Sequence, residues 1–78
     1  MKATIAELKE LMISVGMDKE LVQAVDPNLP MFQQGVDSMD YPAIAIATEK
    51  RYGVRITDAV ALKLKSLNDI VEFIAVKC

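Results

Sequence analysis

Three segments of this chain carry apolar side chains at the three-to-four-residue spacing of an α-helix. No pair of segments offers the alternation of two partner strands. Ile5, Leu8, Leu11, Met12 and Val15 form the first stripe, Ile44, Ala45, Thr48 and Tyr52 the second, and Leu67, Ile70, Val71 and Ile74 the third. A stripe of this width has to be buried against another element, and the surfaces within reach are the other two stripes. The pattern therefore predicts an all-α fold: a small bundle of three main helices plus one short helix, with a long loop between the first and second helices. The core has to be aliphatic, because 53% of the 78 residues are hydrophobic and only 5% aromatic. That apolar share also sets the chain apart from disordered sequences.

Local signals bound the elements. Thr4 suits the cap of a first helix over about 4–15, and Gly16 suits the position past its end. Asp18 with Leu21, Val22 and Val25 predicts a short helical piece. Asp26-Pro27 ends it, since the residue before proline avoids the α region. The stretch that follows is a long connection, anchored by Leu29, Met31 and Phe32. The second strong helix is predicted from Ser38 to Arg51. Ser38 is a preferred cap type, Asp40 puts an acid in the first turn, and Pro42 is tolerated only near a start. Gly53 stops this helix, and Val54-Arg55-Ile56 reads as an extended loop for want of a partner strand. Thr57-Asp58 opens a short helix over 58–64, and Ser66 with Asp69 forms a capping box for the last one. No linker or repeat divides the chain, so residues 1–78 read as one domain.

Many chemistries drop out on residue types alone. There is no histidine, and the one cysteine, Cys78, is the last residue, where it can join two chains but not staple one. Disulfide frameworks and imidazole-dependent sites are therefore excluded. Asp37 and Asp40 read as acids complementing a helix start, because a catalytic carboxylate pair needs a cleft that separates its two pKa values. The acids do not alternate as in a calcium loop, and Gly35 stands alone, so no glycine-rich phosphate loop exists. The net charge is −2, and the basic cluster Lys50, Arg51 and Arg55 lacks interleaved aromatics, which argues against a nucleic-acid partner. No apolar run approaches the ~20 residues of a membrane span. Glu7, Lys9 and Glu10 near the start are unlike a secretory signal, so a cytoplasmic monomer is expected. Charge is unevenly spread: residues 1–42 hold three lysines against seven acids, and residues 43–78 six bases against four acids.

Ser38 remains. As a plain cap it needs no further role. Yet it ends a long loop, follows Gly35-Val36-Asp37 and precedes the apolar Met39. A serine at a helix start is also a favourable place for an attached phosphate, because unpaired N–H groups and the positive end of the helix dipole converge there.

Gly35-Val36-Asp37-Ser38-Met39-Asp40 resembles the modification motif of acyl carrier proteins, commonly written G-x-D-S-[LM]-[DE]. Glu49, Tyr52-Gly53-Val54-x-Ile56 and the apolar terminal helix opened by Ser66 extend the resemblance over about residues 3–76. It implies a non-catalytic carrier with 4′-phosphopantetheine joined to Ser38 by a phosphodiester. A phosphopantetheinyl transferase would attach the group from coenzyme A, and acyl-transferring or synthase enzymes would then use the thioester. Partner recognition would fall to Asp37, Met39 and Asp40, with Lys50 and Arg51 as a basic patch. An apolar slot is implied among Ile44, Ile46, Val54, Ile70 and Ile74.

The departures are informative. The family's second helix is usually acidic, whereas here Ala43 and Ala47 are expected on the exposed side, with Lys50-Arg51 following Glu49. This points to a specialised carrier rather than a housekeeping one. Gln34 stands where leucine is usual and Thr48 at a usually apolar inward position, so both bear on the long loop and the slot. The alternatives are an aminoacyl or peptidyl carrier, which shares the serine motif, and an unmodified helical interaction domain with Ser38 as a cap.

Overall fold

The computed structural model describes residues 3–77; the readings of Met1-Lys2 and of Cys78 lie outside the described residues. Five helices follow in order: α1 (Ile5–Ser14), α2 (Lys19–Ala24), α3 (Tyr41–Tyr52), α4 (Asp58–Ala61) and α5 (Leu67–Lys77). A 3₁₀ turn, Met31–Gln34, interrupts the loop between α2 and α3. No strand occurs among the described residues. The expected small helical bundle is present. Helix α1 packs against α2, α3 and α5, and Leu8, Met12, Val22, Leu67 and Ile74 are enclosed between them.

The caps follow from side chains three residues apart. Thr4 Oγ1 accepts from the Glu7 N–H, and Glu7 Oε1 accepts from the Thr4 N–H, both at 3.1 Å. At α5 the Ser66 N–H donates to Asp69 Oδ2 at 3.1 Å, and the Asp69 N–H donates to Ser66 Oγ at 3.2 Å. Each reciprocal pair satisfies two N–H groups that a helix start leaves without partners. Gly53, at φ +68°, closes α3 in the left-handed region, which glycine adopts without a Cβ penalty. Past it, residues 54–56 form neither helix nor strand, and the Ile56 N–H donates to Glu49 Oε2 at 2.7 Å.

The long loop is bound down at both ends. Gln34 Oε1 accepts from the Asp26 N–H at 2.6 Å, while its Nε2 donates to the carbonyls of Asp26 at 3.0 Å and Leu29 at 3.1 Å. The polar residue at a position where leucine was expected is thus a clamp across eight residues of loop. Farther along the chain, the Met31 N–H donates to the Lys65 carbonyl at 2.8 Å and the Asn68 N–H to that of Pro27 at 3.1 Å. Asn68 Nδ2 also donates to Asn28 Oδ1.

Four expectations need correction. Helix α3 starts at Tyr41 rather than at Ser38. With Ser38 as cap, its carbonyl would need a donor at position 42, and Pro42 has no N–H. The chain instead makes a separate turn, closed by the Asp40 N–H on the Asp37 carbonyl at 2.9 Å, and Asp40 becomes the cap. Helix α4 stops at Ala61 instead of reaching 64. None of its residues is fully buried, so packing does little to extend it. Ile46, expected inside, is 52% exposed. Ala47, expected outside, packs against the core. Ile44 and Thr48 face inward, and position 46 lies well round the helix from both, whereas 47 adjoins them.

Candidate functional site

Val36 is buried and its N–H donates to the Met31 carbonyl at 3.3 Å, which fixes where the chain leaves the loop. The next three residues are exposed, and Met39 is 82% accessible. Asp37 Oδ1 accepts the Met39 N–H at 3.1 Å, a side-chain-to-backbone turn just ahead of α3. Among the described residues Ser38 Oγ has only a long contact, with the same Asp37 oxygen, at 3.4 Å. Hydroxyl hydrogen bonds are ordinarily about 2.7–2.8 Å long, so this hydroxyl is barely committed. Ser38 is accessible, weakly bonded and caps nothing.

An open groove begins at Ser38. Tyr41, Pro42 and Ala45 of α3 form one side, and Ile56, Asp58 and Leu62 the other. Tyr41, Ala45, Ile56 and Ala61 also line an inner pocket, which continues between Met31, Ile44, Thr48, Leu64 and Ile70. The pocket volume is about 30 Å³, near the volume of one water molecule in the liquid. Of the slot residues expected from sequence, Ile44 and Ile70 line it; Val54 and Ile74 are buried elsewhere in the core, and Ile46 points away.

Two hydroxyls interrupt this aliphatic lining. Thr48 is fully enclosed, and its Oγ1 donates to the Ile44 carbonyl at 2.7 Å. Tyr41 Oη is also buried, yet it has no hydrogen-bond partner among the described residues. Burial pushes the Tyr41 hydroxyl above its ordinary pKa, and the nearby Phe32 backbone offsets part of that rise without hydrogen-bond geometry.

The structure brings Asp37, Ser38, Met39 and Asp40 together at one end of α3. Lys50 and Arg51 sit in its last turn, about 15 Å away at 1.5 Å per residue. Arg51 lies exposed over α1: Nη2 is 3.8 Å from Glu7 Oε2 in a surface ion pair, and the guanidinium covers the Tyr52 ring at 5.8 Å. Tyr52 Oη in turn donates to Glu7 Oε1 at 3.3 Å. This group ties α3 to α1. Sequence reasoning missed Tyr41, Ile56, Asp58, Ala61 and Leu62 as neighbours of Ser38. Tyr41 was legible in principle from its place three residues on; the others lie 18–24 positions away and carry no local signal.

The chain matches the family described as phosphopantetheine attachment site over residues 6–74. No curated protein matches the chain.

Proposed function

Because this chain belongs to the family of phosphopantetheine attachment domains, we propose that Ser38 is its attachment residue and that its cargo is an acyl group. Domains of this family carry a covalently attached 4′-phosphopantetheine, receive it from phosphopantetheinyl transferases and work with synthase enzymes. They are generally non-catalytic. The observation that carries the assignment to Ser38 is its uncommitted hydroxyl, which opens onto a groove leading into the bundle.

The residues present fit the group. A transferase needs an accessible hydroxyl, and Ser38 Oγ is exposed on a turn whose backbone is held by Asp37 and Asp40. The start of α3 favours a phosphodiester anion there. Asp37, Asp40 and the exposed Met39 surround the serine as contacts for an incoming enzyme, with Met39 adaptable in shape. The bound arm supplies a thiol whose thioesters keep the acyl carbonyl electrophilic. The chain's own part is to present that arm and shelter what it holds.

The pathway we infer is fatty-acid, lipid or polyketide-type synthesis, served by a specialised carrier. Support comes from the face of α3. Between Asp40 and Glu49 the helix has no charged residue, and Glu49 is engaged with Ile56. Acidic docking charge is therefore missing where a basic partner would read it. Among the described residues no helix is long and apolar enough to cross a membrane. We take residues 1–78 to act as one monomeric unit in the cytoplasm, and a solution mass of one chain checks the first part.

The test is an intact mass measurement after incubation with coenzyme A, Mg²⁺ and a broad-specificity transferase. The wild type should gain one phosphopantetheine and Ser38→Ala none. A folded wild type left unmodified by several such transferases, or a Ser38→Ala variant that is still modified, overturns the assignment.

A further inference from the structure

Ile46 is 52% exposed on a helix whose buried side is already supplied by Ile44, Thr48 and Tyr52. At about 100° per residue, Ala43, Ile46 and Lys50 fall within about 60° of one another on the opposite side of α3. All three are exposed. Met39, 82% exposed, stands four residues ahead of Ala43 and next to Ser38. A surface helix ordinarily carries its charged residues on its solvent side. Here none occurs between Asp40 and Glu49, so the stripe is charged only at its ends. Asp37 and Asp40 stand at the Ser38 end and Lys50 at the other. Arg51 is taken up by Glu7 at 3.8 Å, whereas Lys50 has no ion pair among the described residues.

The end charges suit the helix dipole and need no partner on that account. Single exposed apolar residues are also ordinary on a protein surface. What sets Met39 and Ile46 apart is their line with the serine. An enzyme acting on an arm at Ser38 has to seat over this end of α3. An interface of ordinary size takes about 800 Å² of each partner, a patch about 30 Å across. Lys50 lies about 15 Å from the start of α3, so the same enzyme covers the stripe to its end. Interface centres are depleted in charge and enriched in methionine, which matches an uncharged stripe headed by Met39.

We propose that Met39, Ala43, Ile46 and Lys50 are the docking face for the enzyme that works the Ser38 arm. That enzyme offers an apolar seat for Ile46, between a base facing Asp37 and Asp40 and a carboxylate facing Lys50. This docking role rests on Ser38 as the attachment point. The unlike charges at the two ends select one orientation along α3, because the reversed approach sets like charges together.

The probe is a ketosynthase that docks acidic carriers through surface lysines and arginines, used as it is and in a re-surfaced form. In the second form the docking bases farthest from the active-site entrance become glutamate, and one nearer the entrance becomes leucine. Equal rates on acyl-pantetheine, which makes no docking contacts, establish that both active sites are the same. The chain loaded with its arm should bind the re-surfaced enzyme about three- to tenfold more tightly than the original at low salt. Ile46→Gln should weaken binding to the re-surfaced enzyme by about threefold or more and leave the original little changed. Lys50→Glu should invert the order of the two enzymes. Both positions are exposed, so thermal midpoints within about 4 °C of wild type are expected.

Equal affinity for the two enzymes, or tighter binding of the original, overturns the docking role. So does an order unchanged by Lys50→Glu, or an affinity unchanged by Ile46→Gln. A wild type that dimerises where Ile46→Gln stays monomeric also overturns it, because a second copy then covers the stripe. All of these leave the loaded arm, and with it the carrier reading, in place. A chain that gains no mass on loading fails at Ser38 itself and takes the docking role with it.

Discussion

Replacing Ser38 by alanine tests the local geometry before any question of function. A serine that caps a helix costs about 1 kcal/mol when truncated, within a range of about 0.5–2. Here the oxygen that accepts a turn N–H belongs to Asp37, on Met39 at 3.1 Å. The Ser38 hydroxyl has a long contact at 3.4 Å and is solvent-exposed. Ser38→Ala should therefore lose less than about 0.5 kcal/mol, the scatter of ordinary surface changes. Asp37→Ala should lose about 1 kcal/mol, because it frees the Met39 N–H and removes a negative charge from the start of α3. For a domain of this size that corresponds to a drop in thermal midpoint of about 4–8 °C for Asp37→Ala, against under about 4 °C for Ser38→Ala. Urea titration of both single variants and the double variant completes the cycle, with a coupling below about 0.5 kcal/mol expected. A loss of 1 kcal/mol or more for Ser38→Ala beside a neutral Asp37→Ala would refute the reasoning and restore Ser38 as the cap. If the expected order holds, Ser38→Ala is a clean control for modification, since it removes the hydroxyl and leaves the fold.

Three further outcomes follow from other parts of the structure. Gln34→Leu removes the clamp on Asp26 and Leu29; a loss of about 1–2 kcal/mol is expected in urea, with faster hydrogen exchange at the Asp26 amide, and unchanged exchange would show that the clamp holds nothing. Burial raises the pKa of Tyr41 and Tyr52 above 10.0, and the Glu7 carboxylate adds to the rise at Tyr52. Above pH ~10 the unfolded chain releases protons that the folded chain keeps, so stability should be level below that pH and fall as pH climbs through the raised folded values. Urea midpoints at pH 8–11 check this, and Tyr41→Phe should make the fall shallower. Finally, a ketosynthase that docks ordinary acidic carriers should bind this chain more weakly, by a margin that narrows as salt rises; equal affinity at low salt would count against a specialised partner.

What could be read from sequence was whatever is decided within a few residues. The stripes Ile5–Leu8–Leu11 and Leu67–Ile70–Ile74 repeat at the helical period, so they define a helix and its inward face together. The pairs Thr4–Glu7 and Ser66–Asp69 close hydrogen-bonded rings across three residues, and Gly53 ends α3 by its own φ preference. The motif around Ser38 is likewise contiguous, which is why the attachment family is legible in the sequence. Ser38 as a cap was the local reading that failed. Two neighbours compete for that role, and Pro42 withholds the donor that would have decided for the serine.

The tertiary structure alone decided the surroundings of that serine. Ile56, Ala61 and Leu62 reach the groove because Glu49 holds the Ile56 N–H and α4 returns the chain along α3. Gln34 looks like a mere departure until Asp26 and Leu29 are placed against it. Arg51 looks like a free surface charge until Glu7 comes within 3.8 Å. Tyr41 becomes noteworthy only once its hydroxyl is known to be buried without a hydrogen-bond partner among the described residues. Helix period, caps and turns are properties of short segments, set by backbone sterics and hydrogen bonds a few residues long. A groove, a clamp or an orphaned hydroxyl is a property of which distant segments meet, and that is settled only when the helices pack.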